Sequence, residues 1–225
     1  LIETILANGK TVGIIAVDPT SPFTGGSLLG DRVRMNKYMW DDRVFIRSMG
    51  SHGDLGGLAR KSQDVSDVLE ASGKDFIIFE TVGVGQSETA VKSMVDYFLL
   101  LLLPGAGDEL QGIKRGIMEM ADGIAITKAD GDNIKYSKIA KAEYTNALHL
   151  FPPSYSGWYP EVHLCSSVTK DGIENVWNMI LKQNKFLSCS LDHKSLHLKF
   201  VFWFALLNQE EQQFYQLLCR EYLYM

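Results

Sequence analysis

Thr127-Lys128-Ala129-Asp130 carries the most specific chemistry in this 225-residue chain. It follows a short apolar run, residues 123–126, and so stands where a buried strand would release its backbone. A carboxylate presented edge-on there accepts two hydrogen bonds from a base with adjacent donors, as guanine has at N1–H and its 2-amino group. Adenine lacks the 2-amino group and shows an acceptor at N1, so it leaves the carboxylate unpaired, which costs a few kcal/mol. Sites of this kind reject the wrong ligand strongly. The aliphatic stem of Lys128 would cover the base plane. Taken alone, the pattern [N/T]-K-x-D also suits a solvated turn after a strand. Cys165-Ser166-Ser167 closes the next short strand candidate, with Ser166 36 residues after Asp130. A backbone N–H in that turn could meet guanine O6, and an ordinary strand-to-loop turn is the alternative; the spacing from Thr127 to Asp130 ties the two stretches together.

Acids occupy the ends of other apolar runs. Glu80-Thr81-Val82-Gly83 follows residues 76–79, where many nucleotide hydrolases carry D-x-x-G. The acid there holds Mg²⁺ through water, and the glycine lets a backbone N–H approach the γ-phosphate. Gly83, Gly85, Gln86 and Ser87 make a loop able to switch with that phosphate. Asp18 ends the first run, and Asp31 lies 13 residues later beyond Gly25, Gly26 and Gly30. Two acids on glycine-rich loops suit Mg²⁺, which takes oxygen ligands and keeps several waters, and one of them could orient an attacking water. Each also has a plain reading: a glycine-rich turn for Glu80 to Gly83, a cap for Asp18, a first-turn helix acid for Asp31. The loop Gly105, Ala106, Gly107, Asp108, Glu109, with Lys114 beyond it, could be a further switch or a simple strand-to-helix joint.

The elements that must position these residues alternate. Residues 12–17, 44–47, 76–79, 97–103, 123–126 and 162–164 read as strands, and the longer of these are continuous apolar runs of the kind buried on both faces. Residues 2–7 end a helix at Asn8-Gly9. Residues 55–72, with Leu58, Val65, Val68 and Leu69 on one face, read as a helix stopped by Gly73; residues 113–121, 134–150 and 171–181 follow suit. Strand–helix alternation predicts right-handed crossovers and a doubly wound, mostly parallel α/β sheet, in which ligands bind beyond the carboxyl ends of the strands. From about residue 187 the alternation stops. Residues 200–207 and 214–225 are rich in aromatics and leucine, which divides the chain into an α/β domain over 1–186 and an atypical tail over 187–225.

Composition sets the outer bounds. The chain has 22 basic and 27 acidic residues, a formal net charge of -5, and 46% hydrophobic residues. That balance excludes a disordered chain and argues against a nucleic-acid partner. The longest apolar runs fall well below the roughly 20 residues that span a bilayer, so no membrane partner is expected. Three cysteines with no C-x-x-C pair suit a reducing compartment: the cytoplasm, or the mitochondrial matrix in a eukaryote. A sheet of this class that hydrolyses nucleotides needs a phosphate cradle, G-x-x-x-x-G-K-[S/T]. The 225 residues hold none: after the glycines at 25 and 30 an aspartate, Asp31, stands where the lysine belongs. A cradle always opens a helix, and the chain starts inside one, so the cradle is expected just upstream of Leu1.

VDPTSPFTGGSLLGDRVRM, LGGLARK, ETVGVGQSETAV, LLPGAGDELQGIKRGIMEMAD and TKADGD together resemble the MeaB/ArgK family of GTPases, metallochaperones of cobalamin-dependent methylmalonyl-CoA mutase. The resemblance is close over residues 12–132 and weaker through CSSVTKDGI to about residue 181, some four-fifths of the chain. It implies a P-loop fold of the class related to signal-recognition-particle GTPases, binding GTP or GDP with Mg²⁺. By that resemblance Asp18, Asp31 and Glu80 fall at Mg²⁺ and switch positions. Thr127, Lys128 and Asp130 fall in the guanine motif, and Cys165, Ser166 and Ser167 in its companion loop. Gly105 to Lys114 matches a loop the family turns towards its mutase partner. Members are usually homodimers that gate cofactor loading and protect the mutase. The chain departs from the family in lacking the P-loop, in Thr127 where many relatives have Asn, and in residues 187–225, which do not look like the family's dimerisation arm. An ATPase of the same sheet class and a non-catalytic interaction module are the competing readings; Asp130 argues against the first.

Overall fold

Strands that are apolar on both sides of the pleat need cover on both faces, and the chain provides it. The computed structural model describes residues 1–18, 35–50, 55–82, 88–104, 115–151, 157–190 and 198–204. Its strands are β1 (Val12–Asp18), β2 (Val44–Gly50), β3 (Phe76–Val82), β4 (Tyr97–Leu102), β5 (Gly123–Ile126), β6 (Glu161–Leu164) and β7 (Leu198–Phe204). They form one sheet in the order β2-β1-β3-β7-β4-β5-β6, and every pairing is parallel. The helices are α1 (Ile2–Ala7), α2 (Leu55–Ala71), α3 (Glu88–Lys92), α4 (Arg115–Met120), α5 (Ile134–Leu148) and α6 (Ile173–Ser190).

Strand alternation sends neighbouring side chains into two cores. Ile15, Ile77, Phe79, Phe98, Leu100 and Ile124 pack under Leu69 of α2, Val91 of α3, Ile117 of α4 and Tyr144 of α5. Val12, Ile14, Phe76, Ile78, Tyr97 and Leu99 pack on the opposite face under Ile5 of α1 and Val176, Trp177 and Ile180 of α6. Burial of each large apolar side chain contributes roughly 1.5–3 kcal/mol, so both faces are needed to hold the sheet.

Two carboxylates fasten the strand starts. Asp75, just ahead of β3, accepts from the Thr11 N–H and hydroxyl, each at 2.9 Å, and from Lys10 at 2.9 Å. Burial pushes against its charge, but the Thr11 and Lys10 hydrogen bonds outweigh burial and hold its pKa at about 2. Asp122, just ahead of β5, is buried; it pairs with Lys92 of α3 and accepts from the Phe98 N–H of β4 at 2.7 Å. Its backbone carbonyl takes the Trp158 indole N–H at 2.8 Å. Burial raises the Asp122 pKa, and Lys92 opposes the rise.

The architecture expected from the alternation is present, with local differences that include the following. β3 runs on to Val82, so Glu80 stands inside the strand rather than after it. Its parallel partners Ala16 of β1 and Phe202 of β7 keep the backbone extended there. Val68 is 67% exposed; the face of α2 that meets the sheet runs through Ser62, Val65, Ser66 and Leu69. α6 continues through residue 186 to Ser190. The apolar segment read as an atypical tail supplies β7, in the middle of the sheet.

Candidate functional site

The loops that leave β5 and β6 are joined as an extension of the sheet. The Cys165 N–H donates to the Ile126 carbonyl at 2.9 Å, and the Ala129 N–H donates to the Cys165 carbonyl at 3.1 Å. Thr127 is tied sideways to β4: its N–H and its hydroxyl reach the Leu102 carbonyl at 2.8 and 3.1 Å. Lys128 then takes a left-handed φ of 54°, uncommon for a residue with a side chain. Gly131, at φ 51°, repeats that turn. The result is a tight loop with Asp130 at its apex.

Ser166 links this loop to its neighbour. It is fully buried, its hydroxyl donates to the Asp130 carboxylate, and the same oxygen accepts the N–H groups of Val168 and Thr169, both at 3.1 Å. Its own N–H donates to the Asp171 carbonyl at 2.9 Å. The turn closes at Gly172, whose φ of 73° brings its Cα against the Leu164 carbonyl, where a side chain has no room. Ser166 therefore fixes the direction in which Asp130 points. Ser166→Ala would strand two amide donors and free the carboxylate. Since a hydrogen bond contributes about 0.5–1.5 kcal/mol and water can reach the exposed Val168 and Thr169, the variant is expected to lose roughly 1–2 kcal/mol of stability in urea denaturation. A loss below about 0.5 kcal/mol would show that the hydroxyl does not organise the turn.

A cleft of about 380 Å³ opens at this end of the sheet, within the size range of small-molecule sites. Its apolar floor includes Ile14, Ile78, Leu99 and Ala125, and Thr127, Lys128, Cys165, Ser167 and Glu80 contribute its polar wall. Of the residues singled out in the sequence, Glu80, Thr127, Lys128, Cys165 and Ser167 thus share one cleft, while Asp130 and Ser166 are bonded to each other in the adjoining loops. Asp18 ends β1, but its side chain lies outside the described residues, as do Asp31, Gly83, Gln86, Gly105, Gly107, Asp108, Glu109 and Lys114. The Cys165 thiol is buried, and burial pushes its pKa up to about 11, so it sits there as a neutral wall residue.

Three charged residues at the cleft were not singled out in the sequence. Glu3 in the first turn of α1 pairs with Lys37 and, at 3.2 Å, with Lys170. Those two lysines, Lys37 foremost, hold the Glu3 pKa at about 2. Positions 3, 37 and 170 share no local spacing, so only the fold brings them together. Among the described residues no three His, Cys, Asp or Glu side chains converge on a metal position. No helix among them is long and apolar enough to cross a membrane.

The family model described as methylmalonyl Co-A mutase-associated GTPase MeaB matches residues 1–214. The chain is 47% identical over 186 residues to "GTPase ArgK" of Escherichia coli, covering 83% of this chain and 56% of that protein. It is 48% identical over 170 residues to the mouse "Methylmalonic aciduria type A homolog, mitochondrial", covering 76% of this chain and 41% of that one. A crystal structure titled LAO/AO transport system kinase superposes with a TM-score of 0.68 at 33% identity, over 97% of this chain and 60% of that one. The chain thus spans about half the length of the curated relatives it matches.

Proposed function

Because the chain belongs to the MeaB/ArgK family of mutase-associated GTPases, we propose that it carries the guanine-reading part of a GTP-binding, GTP-hydrolysing chaperone. That chaperone assists cobalamin-dependent methylmalonyl-CoA mutase in loading and protecting its cofactor. The observation that supports this best is the Ser166–Asp130 bond. It holds a carboxylate at a fixed angle beside a cleft of nucleotide size, and a fixed carboxylate separates guanine from adenine. Thr127 and the Cys165 to Ser167 turn complete the base pocket, with Lys128 laid over the ring. An ATPase would gain nothing from Asp130.

Glu80 is the acid of the cleft wall in this reading, with Asp18 and Asp31 as its companions and Gly83 as the backbone donor to the γ-phosphate. Mg²⁺ is bound in phosphate sites through one or two carboxylates plus phosphate oxygens and water, so an open set of acids at strand ends fits it better than a closed protein cage. The ion would supply charge neutralisation at the phosphates. The residues of this chain would orient the base and a water. Gln86 and the loop holding Gly105, Gly107, Asp108, Glu109 and Lys114 would carry the nucleotide state to the mutase, and the homodimer usual in the family belongs to the same proposal. A non-catalytic role for these 225 residues by themselves is favoured by one fact, the lack of G-x-x-x-x-G-K-[S/T] among them.

Saturation-transfer NMR with millimolar GDP and ADP tests the base reading on the chain as it is. Transfer to the guanine H8 of GDP, little transfer to ADP, and loss of that contrast in Asp130→Ala are expected. Equal transfer to both nucleotides would contradict it.

A further inference from the structure

The sheet leaves one place that residues 12–190 do not fill. Going forward along the order β2-β1-β3-β7-β4-β5-β6, the crossovers β2 to β3, β3 to β4, β4 to β5 and β5 to β6 place α2, α3, α4 and α5 on one face. Two crossovers go back: β1 to β2, whose described part sets Met35 against the other face, and β6 to β7, which places α6 there. One crossover hand requires this arrangement. α1 also lies on that other face, over β1. A strand feeding α1 must therefore move back to reach β1, and must start on the β3 side of it. The β3 place is taken. The next is the gap that the β3 to β4 crossover skips, and β7 occupies it. Leu1, just ahead of α1, and Ile2 in its first turn share the cleft with Ile78 of β3 and Leu99 and Leu101 of β4, the two strands that border this gap.

We infer that β7 is a stand-in: the C-terminal segment occupies the sheet place that belongs to a strand feeding α1, so β7 and such a strand are mutually exclusive occupants. The place is built to be filled. β3 and β4 each pair with β7 along most of their length, Phe76 to Val82 with Leu198 to Phe204 and Tyr97 to Leu101 with Phe200 to Phe204. An empty place would strand both sets of backbone groups. β7 also brings its own fastening. The Lys199 ammonium meets Glu70 at 2.9 Å and Asp67 at 3.5 Å on α2, and the Lys199 backbone exchanges two 2.8 Å hydrogen bonds with Asp96, one to its carboxylate and one from its N–H. The Leu198 N–H donates to the Asp75 carbonyl at 3.1 Å, and Phe200 packs edge-on to Phe76 with ring centres 6.2 Å apart.

β7 ends beside Glu80 and Val82 of β3, at the cleft end of the sheet. A feeding strand in that place would deliver its following turn to the start of α1 and the cleft; β7 delivers a different sequence, with no glycine after Phe204. While β7 holds the place, a strand-to-α1 cradle has nowhere to dock.

Hydrogen exchange on two proteins tests this. One is the 225-residue chain. The other carries a seven-residue apolar strand and a G-x-x-x-x-G-K-S turn joined to Leu1. In the first, the amides of Leu198–Phe204 are expected to be as protected as those of β3 and β4. In the second, the β7 amides should exchange at least ~100-fold faster while β3 and β4 keep their protection. Unchanged protection of β7 on extension would overturn the inference. So would parallel loss of protection in β3, β4 and β7, because the added strand would then not be replacing β7.

Discussion

Asp130→Asn is expected to lower affinity for GDP by at least ~100-fold and to raise affinity for xanthosine diphosphate, in a chain that also carries a phosphate cradle ahead of α1. Each hydrogen bond to a charged group contributes roughly 1.5–3 kcal/mol. An amide in place of the carboxylate loses one acceptor facing guanine and turns a donor towards the 2-amino group. Xanthine has a 2-oxo group at that position and accepts from the amide. Ser166 sharpens the expectation, because its hydroxyl holds one carboxylate oxygen and so restricts how the side chain can rotate to compensate. Nucleotide competition by fluorescence measures the swap. Unchanged GDP affinity in Asp130→Asn would remove this loop from base recognition.

The 225 residues by themselves are expected to bind GTP at millimolar strength at best and to hydrolyse it negligibly. A cradle contributes several backbone N–H donors, a lysine and a hydroxyl. Losing three or more charge-assisted bonds of the size given above removes about 4–9 kcal/mol, on the order of 10³–10⁶ in affinity. The loops around Asp130 and Ser166 keep their geometry without it, since their bonds run to β4, β5 and β6. Calorimetric titration with GTP and Mg²⁺ reads the outcome directly. Micromolar binding by these residues would reveal a phosphate site of another kind.

Much of this arrangement is legible in the sequence because it is local. Apolar runs such as 97–103 announce strands buried on both faces, and the T-K-x-D turn and the Cys165 to Ser167 turn each follow one. Their pairing is already suggested by the spacing between Asp130 and Ser166. What is not legible is non-local. The run containing Phe200 to Phe204 has the same signature as the other strands, but strand order is set by crossover hand and by which place remains open, and neither is written in the run itself. Glu80 reads as lying just past its strand because the apolar stretch stops at Phe79, while pairing with β1 and β7 carries the strand through to Val82. Glu3, Lys37 and Lys170 converge from three separate segments of the chain. Asp122 reads as one more polar residue in a matched stretch, and only the fold shows it as a buried fastening between α3, β4 and β5.

Guanine reading by the two adjoining loops can be followed residue by residue. A residue-resolved NMR titration of the 225-residue chain with GDP up to several millimolar tests it most directly. The largest amide shifts are expected on Thr127, Lys128, Ala129, Asp130, Ser166 and Ser167; the same titration with ADP should leave those amides in place, and Asp130→Ala should remove the GDP response. Shifts of equal size with both nucleotides, or shifts centred elsewhere on the sheet with these loops unmoved, would contradict it.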